Sequence, residues 1–180
     1  LAVDYQNCYE AGWFGCKMEY RHGQVPNTRP ILGEDNRRML FDCGVPDPFS
    51  GGLMKRIWAH HGHLQANLDQ YSYEGLPAVS VAPPPGLEFY ADPDYARELL
   101  RYITESTIAR IRAYRRELGQ EMRPQRWWFA DDSIELLSLD TYREFVLPMH
   151  RLLIEELAGE GPHSVHLCGN VQRLMPTLKD

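Results

Sequence analysis

The sequence predicts an α/β fold in which β-strands and α-helices alternate as parallel βα units. Three stretches have the composition of buried strands: residues 76–82, 126–130 and 164–168. Helical patterns stand between them, and this alternation is typical of a parallel sheet covered by helices. The strand centres Ala78, Trp128 and His166 are separated by 50 and 38 residues. These intervals suit a barrel whose loops carry functional insertions.

Residues 1–75 are predicted to form an irregular N-terminal arm with short helices. Glycine and proline interrupt the first 52 residues repeatedly, and one helix is expected over residues 34–41. Apolar residues at helical spacing predict another helix over residues 53–68. His60 and His63 fall within it and would share one side. Because no acidic or thiol partner lies nearby in sequence, solvated or packed histidines are the preferred interpretation, with a metal site as the alternative.

Residues 76–180 are predicted to hold the central βα units. The first strand is followed by a proline-rich loop at 83–86, and Asp92 and Pro93 then provide a cap and a first helical residue. The helix is expected to run to Gly119. Its apolar face comprises Ala96, Leu99, Leu100, Ile103, Thr107, Ile111, Tyr114 and Leu118. The residues predicted to form its solvated outer face are Arg97, Glu98, Arg101, Glu105, Arg110, Arg115 and Arg116.

The second strand, over 126–130, ends at the pair Asp131 and Asp132. Ser138 is a good cap for the next helix. Pro148 interrupts that helix, so a kink or break is expected between residues 146 and 149. The helix then continues to about Gly159 and leads into the third strand.

The third strand carries the most specific chemical signal in the chain. His166 and Cys168 are two residues apart, and side chains at that spacing on a strand point to the same face. Imidazole and thiolate are ligands that zinc binds well. The alternative is that the pair only packs, since cysteine is among the most buried residue types. Two ligands are also fewer than a zinc site requires.

All three strand ends would lie at one edge of a parallel sheet, which is where chemistry collects in such folds. The proline-rich loop, the Asp131–Asp132 pair and the His166–Cys168 pair all fall there. Whichever aspartate faces the barrel is expected to orient substrate or a metal ligand. The alternative for the pair is loop capping and solvation.

Composition excludes several classes of function. The net charge is −6 and no basic stripe is present, so nucleic acid is not expected as a partner. The sequence has no apolar run long enough to cross a bilayer and no basic-then-apolar leader. We therefore expect a soluble, cytoplasmic protein. The remaining cysteines, Cys8, Cys16 and Cys43, are widely spaced and are expected to be reduced thiols. Cys8 and Cys16 lack CxxC spacing and are not expected to bind a metal.

The ends of the sequence predict that the chain is a fragment. It has no initiating methionine, its first residues begin as if inside an element, and a helix starting after Asn170 does not finish. An incomplete barrel exposes strand edges, so a homodimer is a further expectation.

The chain resembles the uroporphyrinogen decarboxylase superfamily over roughly residues 76–180. The segments that carry the resemblance are Asp92-Pro93, Leu99-Leu100, Ile103-Thr104-Glu105, Phe129-Ala130-Asp131-Asp132, Leu137-Ser138, residues 142–148 and His166-Leu167-Cys168-Gly169-Asn170. This superfamily includes zinc-dependent methyltransferases that move a methyl group between a corrinoid carrier and a thiol. The resemblance implies a (β/α)8 TIM-type barrel, incomplete in this chain, since such barrels need roughly 250 residues. It also implies that His166 and Cys168 are zinc ligands, with a further cysteine ligand from a later strand.

Zinc-dependent methyl transfer, with a corrinoid as co-substrate and a small molecule or corrinoid protein as partner, is therefore the leading hypothesis. Metal-free decarboxylation of uroporphyrinogen or a related tetrapyrrole is the alternative, in which electrostatic positioning carries the rate. A third hypothesis is a corrinoid-binding or partner-binding protein in which any zinc is structural.

Overall fold

The computed structural model describes residues 8–24, 26–67 and 88–178. The chain divides into two compact units, Leu1–Val79 and Ser80–Asp180. The predicted strand over 76–82 and the proline-rich loop after it lie outside the described residues.

Short helices and one small antiparallel strand pair make up the described part of the first unit. Its elements are α1 (Tyr9–Trp13), β1 (Met18–Glu19), β2 (Asn27–Thr28), a 3₁₀ turn (Glu34–Asn36), α2 (Met39–Cys43) and α3 (Met54–Ala66). The helix predicted over 53–68 is confirmed as α3.

The single helix predicted over 34–41 is wrong, because a 3₁₀ turn and the separate helix α2 replace it. The Asn36 side chain accepts a hydrogen bond from the Gly33 N–H at 2.6 Å and donates one to the Ile31 carbonyl at 2.8 Å. Such local side-chain bonds compete with helical hydrogen bonding. They favour a short turn at this point over a continuous helix.

The described part of the second unit contains one parallel strand pair and several helices. Its described elements are α4 (Glu88–Ala91), α5 (Pro93–Glu117), β3 (Trp127–Ala130), a 3₁₀ turn (Asp132–Leu136), α6 (Leu139–Thr141), a π-helical segment (Tyr142–Val146), α7 (Leu147–Leu157), β4 (His163–His166) and α8 (Met175–Leu178). Strands β3 and β4 pair in parallel, with Ala130 opposite His166. The predicted arrangement of parallel strands joined through helices is confirmed for this pair.

Helix α5 begins as the sequence predicts. Asp92 caps it, because Oδ1 accepts the N–H of Tyr95 at 3.1 Å, and Pro93 occupies the first turn. The prediction of a fully solvated outer face is wrong at two positions, since Arg110 and Arg115 are buried. The guanidinium of Arg115 donates to the Met122 carbonyl between α5 and β3, and forms a buried hydrogen bond with the Leu157 carbonyl at the end of α7.

The helix that follows β3 contains an irregular segment, but not where it was predicted. The chain stays helical from Leu139 to Leu157, and the Leu147 N–H donates to the Tyr142 carbonyl across a π turn. Pro148 lies in the first turn of α7, where its missing N–H costs little hydrogen bonding. The predicted kink or break between residues 146 and 149 is therefore corrected to a π segment that precedes Pro148.

Apolar packing in the second unit anchors the loops that leave the strand pair. Its core cluster comprises Phe89, Ala96, Leu100, Ile134, Leu137, Tyr142, Phe145, Val146 and Leu174. Ile134 and Leu137 belong to the loop after β3, and Leu174 belongs to the loop after β4. Burial of these three side chains fixes both loops against α5 and the π segment. Among the described residues, no helix combines the length and the apolar character that crossing a membrane requires.

Candidate metal centre

The candidate centre lies at the carboxyl ends of β3 and β4. Phe129 is buried on the face of the strand pair that meets α7, with its ring 4.8 Å from that of His150. Side chains alternate along a strand, so Trp128 and Ala130 point to the opposite face, where Trp128 is 51% exposed. His166 is paired with Ala130 and therefore shares this open face.

Three potential metal donors meet at this edge. One carboxylate oxygen of Asp132, one ring nitrogen of His166 and the sulfur of Cys168 all lie within 4.8 Å of one another. Cys168 Sγ is 3.6 Å from His166 Nε2. All three side chains are exposed, so an ion and a further ligand can reach them. A nitrogen, an oxygen and a sulfur donor in this arrangement fit zinc.

The two predicted ligands meet for a reason other than strand alternation. Strand β4 ends at His166, so Cys168 lies in the loop and the expectation of a strand running through it is wrong. The backbone N–H of Cys168 donates to Asp132 Oδ1 at 2.7 Å. Gly169 follows with φ at +79°, and the Glu135 carboxylate lies where a Cβ atom of this residue would be. A turn held by the Asp132 side chain, with Glu135 close to Gly169, thus directs the thiol towards the imidazole.

The electrostatic environment keeps this thiol protonated when no ion is present. A hydrogen bond to the Asp132 carboxylate raises the pKa of Cys168 above its usual value, and the negative charges of Asp132 and Glu135 act in the same direction. A cation at the site reverses this effect, because its charge favours the thiolate.

Asp131 and Asp132 take different directions at the end of β3. The Asp131 side chain is buried, and its Oδ2 lies 3.0 Å from His150 Nε2. The Ser133 hydroxyl donates to its other oxygen. The backbone N–H of Asp131 donates to the His166 carbonyl at 3.1 Å, which continues the pairing of β3 with β4 by one residue. Asp132 is therefore the member of the pair that lies beside His166 and Cys168.

The hydrogen bonds between buried polar side chains continue from Asp131 and His150 to Tyr142 in the π segment. The Tyr142 hydroxyl lies 3.2 Å from His150 Nδ1, and both side chains are buried. Burial and the nearby charge of Asp131 raise the pKa of Tyr142 to about 12. The hydroxyl is therefore protonated at neutral pH and can donate to the imidazole.

Arg173 joins the two loops that carry the donors. Its Nε donates to the Leu137 carbonyl at 3.0 Å and its Nη1 to the Asn170 carbonyl at 2.7 Å. Its Nη2 contacts the Glu135 and Leu137 carbonyls. One guanidinium therefore fastens the loop after β3 to the loop after β4.

Sequence reasoning missed three residues of this centre: Glu135, His150 and Arg173. Arg173 binds backbone carbonyls, which leave no trace in a residue pattern. Glu135 lies in the loop that begins with the aspartate pair, and an acidic residue there was the available signal. His150 is 19 residues from its partner Asp131 and gave no local signal.

None of the other histidines and cysteines belongs to this cluster. Within residues 8–24, 26–67 and 88–178, the only group of three or more side chains with metal-binding geometry is the one formed by Asp132, His166 and Cys168. In α3, His60 and His63 are exposed, whereas His61 is buried and packs edge-on against Trp58. All four cysteines are free thiols.

Comparison with known proteins gives a family match over about half of the chain. Residues 87–180 match the uroporphyrinogen decarboxylase (URO-D) family. This range contains α4 to α8 and all three candidate donors.

Two similar proteins come from Methanosarcina mazei. A methylated-thiol–coenzyme M methyltransferase is 47% identical over 47 residues, which is 26% of this chain and 12% of that protein. A solved structure of a methyltransferase superposes on 100% of this chain with a TM-score of 0.71 and 16% identity. The chain spans 54% of the length of that structure. At this identity, the superposition supports a similar fold and does not extend to activity.

Proposed function

The chain belongs to the uroporphyrinogen decarboxylase family, and we propose that it is part of an enzyme that transfers a methyl group between a corrinoid carrier and a thiol in a zinc-dependent reaction. The single observation that carries this proposal is the convergence of Asp132, His166 and Cys168 within 4.8 Å at the strand ends. A relative named as a methylated-thiol–coenzyme M methyltransferase supports the same reaction class, and the solved methyltransferase structure supports the fold.

In this proposal, His166 and Cys168 are the protein ligands of zinc. Bound zinc would supply the positive charge that keeps a substrate thiol deprotonated, and hence nucleophilic, at neutral pH. Exposure of the donors leaves room for that thiol and for a corrinoid presented by a partner protein. A further protein ligand is proposed from a later strand, because a zinc site takes at least three protein ligands.

Asp132 has two proposed roles in this site. Through Oδ1 it holds the Cys168 amide, which orients the ligand. Its carboxylate also lies close enough to accept a proton released from a thiol, because one of its oxygens is within 4.8 Å of the Cys168 sulfur. Asp131 is proposed to act indirectly, through the hydrogen bond from its backbone N–H to the His166 carbonyl, which joins the ends of β3 and β4.

The architecture proposed for the whole protein is a (β/α)8 barrel. The parallel pair β3–β4, with helices on one face and the exposed Trp128 and His166 on the other, supports a closed barrel whose interior lies on the His166 side. Residues 76–180 are proposed as its central βα units and residues 1–75 as an N-terminal arm. A cytoplasmic location and a homodimer remain predictions from the sequence.

Metal analysis of the purified protein tests the proposal. We expect about one zinc per chain, which His166→Ala and Cys168→Ala each remove. Cys43→Ala is the matched control, because Cys43 is an exposed thiol in the first unit and should leave the zinc content unchanged. Methyl transfer from methylcobalamin to a thiol, followed by absorbance, should fall with the zinc content.

Two results would select the alternatives. The match to the decarboxylase family favours decarboxylation as the second candidate, and zinc-free protein that releases carbon dioxide from uroporphyrinogen would select it. Zinc held by four protein ligands, with no position open to a thiol, would select a binding protein in which the ion is structural.

A further inference from the structure

A π turn places two polar side chains on the same face of the helix that follows β3. An α-helix advances about 100° per residue, so side chains eight positions apart lie about 80° apart around its axis. A π turn takes up roughly one extra residue and removes most of this offset. Tyr142 and His150 flank such a turn, and the hydroxyl of one reaches Nδ1 of the other at 3.2 Å.

A series of hydrogen bonds connects this helix to the end of β4, where the candidate ligand His166 lies. His150 Nε2 meets Asp131 Oδ2 at 3.0 Å, and the Asp131 N–H donates to the His166 carbonyl at 3.1 Å. Tyr142, His150 and Asp131 are 0%, 3% and 1% exposed. A buried carboxylate is costly without partners, so its position depends strongly on the groups that bond to it.

We propose that His150 is a positioning residue for the metal centre, acting through Asp131 and oriented by Tyr142. His150 holds the Asp131 side chain on the face of the strand pair that meets α7. The side chain of Asp132, the residue after Asp131, therefore points to the opposite face, where it bonds the Cys168 amide. His150 also fixes the Asp131 N–H against the His166 carbonyl. The inference deepens the proposed function and rests on it for the identity of the ion.

The bonding requirements of His150 suggest the variants. The imidazole gives one bond to Asp131 and one to Tyr142. In His150→Gln, the amide can donate to the carboxylate and accept from the hydroxyl, whereas His150→Leu can do neither. Tyr142→Phe keeps the ring and removes only the bond to Nδ1.

The first measurement needs no metal. Hydrogen exchange at the Cys168 amide reports on its bond to Asp132 Oδ1. We expect His150→Leu to accelerate this exchange about tenfold or more relative to wild type, and His150→Gln to stay within a few-fold. Unchanged exchange at Cys168 in His150→Leu would overturn the inference, whether or not the protein binds zinc.

The second measurement is affinity for Zn²⁺ and the absorption spectrum of the Co²⁺-loaded protein. Removing outer-shell partners typically lowers metal affinity about 10- to 100-fold, and we expect a loss in this range for His150→Leu. His150→Gln should restore most of the affinity and the wild-type cobalt spectrum. A wild-type protein that binds neither ion would overturn the proposed function and leave the exchange test of His150 intact.

The control separates positioning from general stability. Leu153 is buried on the same helix, and Leu153→Ala should lower the thermal midpoint without accelerating exchange at Cys168 or changing the cobalt spectrum. If this variant alters both readouts as His150→Leu does, the role of His150 is only structural. If His150→Leu does not fold, Tyr142→Phe decides, with an expected loss of metal affinity of about threefold or more.

Discussion

The backbone N–H of Cys168 donates a hydrogen bond to Oδ1 of Asp132 at 2.7 Å, across the two loops that end β3 and β4. The same carboxylate also bonds the Cys168 thiol and raises its pKa. Asp132 therefore affects Cys168 in two ways: it bonds the backbone N–H of Cys168, and it raises the pKa of the Cys168 thiol.

Substituting Asp132 should change the reactivity of this thiol. Asp132→Asn removes the negative charge and keeps an oxygen that can accept the amide N–H, so the pKa of Cys168 should fall towards its usual value. Asp132→Ala should lower the pKa and also accelerate exchange of the Cys168 amide. The rate of alkylation at Cys168 as a function of pH, read by mass spectrometry, measures the pKa. An unchanged alkylation profile in both variants would contradict the assigned bond.

Zinc affinity should depend on pH because the thiol must lose a proton to become a ligand. The pKa of Cys168 is raised, so at neutral pH the sulfur carries its proton and the ion has to displace it. Between pH 7 and 8.5 we expect the apparent affinity to rise about tenfold per pH unit, with about one proton released per zinc bound. Calorimetry in buffers of different ionisation enthalpy counts that proton. An affinity independent of pH over this range would mean that the thiolate exists before the ion binds.

Gly169→Ala should destabilise the protein through the backbone. The φ angle of +79° is unfavourable for alanine and costs about 1–2 kcal/mol. The Cβ would also overlap the Glu135 carboxylate, but that group ends a flexible side chain and can move. Gly169→Asn should therefore be milder than Gly169→Ala, since asparagine tolerates positive φ better.

A second variant separates these two causes. Adding Glu135→Ala to Gly169→Ala should recover little of the loss in free energy of unfolding, as measured by chemical denaturation. Full recovery would show that the carboxylate, and not the backbone, sets the requirement for glycine.

Arg173→Lys should loosen the candidate centre while retaining the positive charge. A lysine ammonium cannot reach the Glu135, Leu137 and Asn170 carbonyls together, because it lacks the planar fork of the guanidinium. We expect zinc affinity to fall about 3- to 10-fold, in line with the loss of one or two hydrogen bonds. Arg143→Lys is the control, since Arg143 donates to the Thr177 side chain and not to either loop backbone. Equal effects of the two variants would argue against a specific role for Arg173.

Part of the candidate centre could be predicted from the sequence. The pairing of an imidazole with a thiol two residues later, at the end of a predicted parallel strand, led to the correct pair of neighbours. The predicted reason for their proximity was wrong, because the bond to Asp132, and not strand alternation, orients Cys168. Which of Asp131 and Asp132 would face the other two side chains was left open, because the sequence does not show that the pairing of β3 with β4 continues one residue beyond Ala130.

Regular helical spacing does not predict the contacts of His150 and Arg115. His150 aligns with Tyr142 because of a π turn, and the simple helical spacing used for prediction does not include such a turn. Arg115 has the same residue type and the same helical neighbourhood as the exposed Arg116. The partners of its guanidinium distinguish the two, namely the Met122 and Leu157 carbonyls and the Trp127 ring, and no pattern along the helix shows them.

Arg115→Met should therefore be strongly destabilising, whereas Arg116→Met should be nearly neutral. The Arg115 guanidinium donates to the Met122 and Leu157 carbonyls, each at 2.6 Å, and so ties α5 to the approach to β3 and to the end of α7. Methionine preserves much of the volume but leaves the partly buried Met122 acceptor and the buried Leu157 acceptor without their donor. An unsatisfied buried group costs about 1–3 kcal/mol.

Chemical denaturation gives the free energies of unfolding for both variants. We expect a loss of about 2–4 kcal/mol for Arg115→Met and less than about 0.5 kcal/mol for Arg116→Met. Burial lowers the pKa of Arg115, yet an arginine stays protonated throughout the physiological range, so the difference between the variants should persist from pH 6 to 8. If Arg115→Met were as stable as Arg116→Met, water or another donor would have to satisfy both carbonyls, and the link between α5 and α7 would not depend on this guanidinium.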